Sequence, residues 1–196
     1  MIEMPQSSEM NAPPAVKTRQ LLLRAPMADD VDALFEIQRD GEAMRHTYLA
    51  PDRDATLRHL EAYAARFSQD GFAPWTAVLE REKRIIGWGG LNRDPKEPEY
   101  GTEVSYFIHP SYWGRGLATE LVHASLRLAF RELGLSAVSA FTKPANRGSQ
   151  RVLEKAGFCF LHYVEELERN QYSVDSRLWE RVAPLGRGER DPSKHD

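Results

Sequence analysis

The run Trp113-Gly-Arg-Gly-Leu-Ala-Thr119 constrains this chain most, because it joins a β-like segment, Val104–His109, to an uninterrupted amphipathic segment that continues to Leu133. A strand that turns into a helix through two closely spaced glycines leaves the first-turn N–H groups without partners. It also aims the positive end of the helix dipole at the turn. Gly114 and Gly116 let the main chain come close to an anion, so the junction is suited to hold phosphate. The plainer reading, a tight turn with glycine where φ must be positive, fits this segment alone equally well.

Two familiar phosphate loops can be tested directly. A Walker-type loop needs glycine followed by Lys and then Ser or Thr, and no glycine in the chain is followed that way. A dinucleotide fingerprint would need glycine at 119, where Thr119 stands, and the next β-like run, Ala137–Thr142, ends without a ribose-binding acid.

One helix and one strand further on comes Asn146-Arg-Gly-Ser-Gln-Arg-Val-Leu-Glu-Lys-Ala-Gly-Phe158. Together the two segments resemble the GNAT superfamily of N-acetyltransferases. The branch most similar is the ribosomal-protein N-terminal acetyltransferase type (RimJ/RimL-like), from Thr18-Arg-Gln-Leu-Leu-Leu-Arg24, Glu103-Val-Ser-Tyr-Phe-Ile108 and Trp113 to Glu120. The resemblance spans about residues 18 to 182. One departure is Ser105, at a position usually filled by glycine.

The resemblance implies an α/β fold: one domain with a mixed, mostly antiparallel sheet flanked by helices and a splayed central strand pair. It implies acetyl-CoA as co-substrate, with its pyrophosphate on Trp113, Gly114, Arg115, Gly116, Leu117, Ala118 and Thr119. Backbone N–H groups near Phe107 and Ile108 would serve the pantetheine and the oxyanion, and Asn146 would contact the pantetheine or the substrate amide. Glu103 matches the acid of the family motif and is the candidate general base, and Ser149 is the candidate donor to the departing thiolate. Each has a plainer reading: Glu103 as a solvated strand-end acid, Ser149 bonding back to its own helix, Asn146 as a helix N-cap.

Residue patterning fills in the elements. Gln20–Arg24 reads as a first strand. Asp29 or Asp30 caps a helix to about Gln38, and Asp54 begins another to Gln69 with Leu57, Leu60, Ala64 and Phe67 on one face. Trp75–Glu80 and Arg84–Leu91 form a hairpin, Ser136–Phe141 a strand, Asn146–Ala156 a helix stopped at Gly157, and Phe158–Tyr163 and Gln171–Val182 the last strands. On the helix after the glycine turn, Glu120, His123, Arg127 and Arg131 form a polar, solvated stripe opposite Leu117, Leu121, Ala124 and Leu128. The polar, proline-bearing segment 1–16 and the tail 184–196 read as disordered around a domain at 17–183.

Composition excludes several classes. A formal net charge of −3, without a basic stripe interleaved with aromatics, argues against a nucleic-acid surface. No apolar run reaches membrane-span length and the N-terminus lacks a signal-peptide pattern, so the expected location is the cytoplasm. The one cysteine, Cys159, cannot form an internal disulfide and sits in an apolar run that reads as core; no Cys/His spacing points to a metal. The expected partner is a small-molecule amine or a peptide N-terminus, with the protein a monomer or homodimer. The acidic runs Asp94–Glu99 and Glu165–Glu168 would favour a cationic acceptor if they flank the cleft, and are solvated loops otherwise. The competing class is a protein that binds acetyl-CoA or CoA as a sensor or scaffold without turnover.

Overall fold

The computed structural model describes residues 14–94 and 97–182. Of the segments expected to be disordered, 1–16 and 184–196, residues 1–13 and 184–196 lie outside the described residues, and Val16 already belongs to the first strand. Eight strands form one sheet: β1 (Val16–Lys17), β2 (Leu21–Arg24), β3 (Trp75–Leu79), β4 (Arg84–Asn92), β5 (Glu103–Ile108), β6 (Ala137–Thr142), β7 (Cys159–Val164) and β8 (Arg169–Asp175). Their order is β1-β2-β3-β4-β5-β6-β8-β7. Every neighbouring pair is antiparallel except β5 and β6.

That exception makes the site. β5 and β6 run parallel and pair in register only at Glu103 and Ser139, with the Ser139 N–H donating to the Thr102 carbonyl at 2.9 Å. Beyond this contact the two strands part, and the C-terminal half of β5 faces a gap.

Six helices cover the sheet: α1 (Val31–Gln38), α2 (Arg53–Ala64), α3 (Phe67–Asp70), α4 (Leu117–Arg127), α5 (Arg147–Lys155) and α6 (Ser176–Val182). The alternation of side chains along β5 divides the core. Val104 and Ile108 pack with Leu117, Leu121 and Leu153 of α4 and α5. Phe107 and Trp88 pack on the opposite face with Val31, Leu34, Ile37 and Leu60 of α1 and α2. β4 lies close against β5: a Cβ at Gly89 would stand 2.5 Å from the Cβ of Tyr106, so any larger residue would push Tyr106 out of place.

Several local expectations are corrected. Asp30 does not cap α1 with its side chain; it is buried, pairs with Arg24 at 2.6 Å and accepts from the Thr76 hydroxyl at 2.8 Å. Those hydrogen bonds, set against burial, hold its pKa below the usual carboxylate range. The second helix starts from an Asp52 cap on the Ala55 N–H and stops at Ala64, which is exposed; its inner face carries Ala55, Thr56 and Leu60. The strand read as Gln171–Val182 ends at Asp175, whose carboxylate accepts from the Leu178 N–H at 2.7 Å and starts α6.

Glu120 is not a solvated stripe residue. Its carboxylate accepts from the Gln20 main-chain N–H at 2.6 Å and from the Thr18 hydroxyl, tying α4 to the β1–β2 turn. His123 is partly buried, which lowers its pKa. Cys159 is exposed, because β7 is the sheet's edge strand and leaves its first five residues in solvent.

Candidate active site

The gap between β5 and β6 opens into two joined cavities. The larger, about 400 Å³, runs along the glycine turn and α5; the smaller, about 110 Å³, lies beside the start of β5. His46, Thr47, Tyr106, Asn146 and Ser149 line both, so they mark the passage between them.

The glycine turn has the conformation its sequence demands. Gly114 and Gly116 hold φ of +75° and +79°, and a Cβ at either would meet nothing within 4 Å, so the turn is open to an incoming group. Gly116 is the N-cap of α4 and no side chain caps it. The first-turn amides of Leu117, Ala118 and Thr119 therefore face the larger cavity, which these three residues line with Gly114 and Gly116. Arg115 does not line it; its guanidinium sits 5.0 Å from the centre of the Tyr112 ring. Trp113 lines the cavity while 41% exposed, donates its indole N–H to the Ile108 carbonyl at 2.6 Å, and carries Arg45 over its ring at 5.3 Å.

The edge of β5 supplies donors to the gap. The His109 N–H donates to the Ile86 carbonyl at 2.8 Å, and the β4–β5 register runs without a shift from there to Glu103. Antiparallel alternation then turns the Phe107 N–H toward β4 and those of Tyr106 and Ile108 toward β6. Phe107 lines the cleft, but its amide belongs to the ladder, and Tyr106 takes the place expected for it.

Glu103 lines only the smaller cavity, on the face of β5 opposite Tyr106, whereas Ser149 lines both. Burial, the Asp94 carboxylate and that of Glu97 push the Glu103 carboxyl up to about 7, against the field of Arg169 and a hydrogen bond with Asn92. Ser149 does not bond back to its helix; its Oγ lies 3.0 Å from the Tyr106 hydroxyl. Burial pushes the Tyr106 phenol up to about 12, so it stays protonated at neutral pH. Asn146 caps α5, its Oδ1 accepting from the Ser149 N–H at 3.1 Å, and still lines both cavities. Gln150, buried at 5% exposure, fixes the preceding loop through the Pro144 carbonyl at 2.8 Å.

Reasoning from the sequence missed Tyr106, Arg169, His46 and the basic pair Arg151 and Lys155, all of which line the cavities. Arg151 and Lys155 stand one helical turn apart on α5, a signal that spacing from Ser149 could have shown. The others come from separate elements and had no local signal. Among the described residues no group of three or more His, Cys, Asp or Glu could hold a metal, and no helix is long and apolar enough to cross a membrane.

Residues 20–159 match the family model described as an acetyltransferase (GNAT) domain. The uncharacterized N-acetyltransferase YoaA of Bacillus subtilis is 29% identical over 74% of this chain and 82% of its own length. Two solved structures share the fold: RimJ of Mycobacterium smegmatis in complex with CoA-disulfide (TM-score 0.73, 16% identity, 89% of this chain and 93% of that one), and AAC(6')-Ib in complex with ribostamycin and coenzyme A (TM-score 0.70, 20% identity, 84% and 98%). A splayed β5–β6 pair, an uncapped glycine turn at the head of α4 and a family match over most of the chain lead to one conclusion: this chain belongs to the GNAT acetyltransferases.

Proposed function

We propose that the protein transfers the acetyl group of acetyl-CoA to a primary amine by direct attack, with Glu103 as general base and Ser149 as hydrogen-bond donor to the departing sulfur. The observation that carries this reading is the joining of the two cavities: a carboxyl held near neutrality lines one, a serine hydroxyl on a protonated phenol lines both, and open main-chain amides line the other.

The chemistry follows from these positions. The larger cavity takes the pyrophosphate on the Leu117–Thr119 amides and the pantetheine past Asn146, with Arg151 and Lys155 adding positive charge. The thioester carbonyl then lies in the gap, where the Tyr106 and Ile108 amides face a developing oxyanion. The amine enters from the Glu103 side and gives up a proton to that carboxylate, directly or through water. The N–C bond forms, the C–S bond breaks, and the thiolate takes a proton from Ser149 Oγ, which is resupplied from Tyr106 or solvent. A serine hydroxyl is too weak an acid to lead this step alone, so the Tyr106 contact supports it.

The test is thiol release from acetyl-CoA with a panel of amino acids, amines and peptides, with the acetylated product identified by mass. Turnover with at least one acceptor is the expected result. Acetyl-CoA binding without turnover of any acceptor would favour the sensor or scaffold reading.

A further inference from the structure

The smaller cavity holds a cation as well as a base. Arg169, the first residue of β8, lines it together with Glu103, and it is partly buried. Among the described residues no carboxylate lies within ion-pair distance of its guanidinium; the ion pairs there are formed by other arginines and lysines. The strand registers pair Glu103 with Ser139 and Ser139 with Ser173, so Arg169, four residues before Ser173 on β8, leaves the sheet on the same face as Glu103. Arg45 and Lys143 add positive charge around His46, which lines the cavity.

A partly buried guanidinium without an ion-pair partner is a donor that a carboxylate fits, since a carboxylate can accept its two parallel N–H bonds. A cavity of about 110 Å³ has room for an amine and a carboxylate separated by one or two carbons.

We infer that the acceptor is a small amino acid, its amine at Glu103 and its carboxylate on Arg169. This rests on the acetyl-transfer reading above and narrows its substrate class. The acidic Glu165–Glu168 turn, which by itself suggests a cationic acceptor, precedes Arg169 on the chain, and the guanidinium stands inside the cavity.

The experiment compares α- and β-amino acids with their amides as acceptors of acetyl-CoA, in wild type, Arg169→Gln and Arg169→Lys. Each pair differs only in the carboxylate. The amide's amine is the less basic of the two, so intrinsic reactivity favours the amide and works against the inference. The expected result is a wild-type kcat/KM preference for the acid that falls roughly 10- to 100-fold in Arg169→Gln, mainly through KM, because a charge-assisted bidentate contact is lost. Arg169→Lys should fall between, since a point charge replaces the fork. Acetylation of amides, amines or peptides by the wild type with no preference for the free acid would overturn the inference and leave acetyl transfer standing. An unchanged preference in a folded Arg169→Gln would also overturn it. No turnover of any acceptor would overturn both.

Discussion

The two halves of the proposed site, one for acetyl-CoA and one for the acceptor, are built by different means. The cofactor half is made of main chain from one contiguous run, Gly114–Thr119, whose two left-handed glycines and uncapped helix start provide the amides. The acceptor half is made of side chains brought from distant elements: Glu103 on β5, Thr142 on β6, Arg169 on β8, and His46 and Thr47 from the α1–α2 connection. A main-chain site needs only local conformation, so it can be exchanged between sequences as a short motif. A side-chain pocket depends on topology and can change its chemistry through single residues without disturbing the fold. Substitutions in the first half should therefore act on acetyl-CoA affinity, and those in the second on turnover and acceptor choice.

The largest effect is expected from Glu103→Gln. It should lower kcat by ~10²–10⁴-fold while leaving acetyl-CoA affinity, measured by calorimetry, within about twofold. An equal fall in affinity would erase the distinction between the halves. Ser149→Ala should cost about 10- to 100-fold in kcat, the scale of one hydrogen bond to a charged group. Gly116→Val should act the other way round, raising the Kd for acetyl-CoA at least about tenfold through backbone strain at positive φ and a side chain in the phosphate's approach, with kcat at saturation little changed.

Stability gives a reading independent of turnover. The Glu103 pKa of about 7 lies above the ordinary 4.5, so the folded chain holds this proton more tightly than the unfolded chain. Stability is then greatest below the ordinary value and declines as pH rises toward and through 7, by at most about 3 kcal/mol. Glu103→Gln removes that decline. Its melting temperature relative to wild type should be higher above neutrality than in mild acid, and a constant difference across pH would show that the carboxyl is not perturbed.

The smallest effect concerns the acidic turn. A zwitterionic acceptor carries no net charge to steer, so replacing Glu165, Glu166 and Glu168 with Gln should change kcat/KM for amino acids by less than about twofold. For a cationic acceptor the same change should cost several-fold at 0.1 M salt and little at 1 M, where the Debye length falls from ~10 Å to ~3 Å.

The same division separates what the sequence reveals from what it hides. The β3–β4 hairpin and the α5 helix are written in local periodicity, and the sequence reading finds them to within a residue or two. The glycine turn is legible because its conformation and its use share one cause. The last strand is misread because Asp175 and Ser176 continue a β-like alternation although they cap a helix. Glu120 and His123 look solvated on a helical wheel, yet the β1–β2 turn and the neighbouring elements cover them, which periodicity within one helix cannot show. Glu103 and Ser149 could be named through family resemblance. Their junction through Tyr106, and the presence of Arg169 beside Glu103, follow from the sheet order β5-β6-β8, in which residues far apart in the chain meet.

The central claim is that Glu103, held near neutrality in the acceptor half, takes the proton of the attacking amine. The most direct measurement is kcat/KM against pH at saturating acetyl-CoA for wild type, Glu103→Gln and Arg169→Gln with one acceptor. The wild-type rate should rise through a limb centred near 7, as the carboxyl ionises. The limb should vanish in Glu103→Gln, leaving only the rise set by the amine itself, and should move to higher pH in Arg169→Gln, where the field that favours the carboxylate is gone. A wild-type limb retained unchanged in a folded Glu103→Gln would contradict the claim.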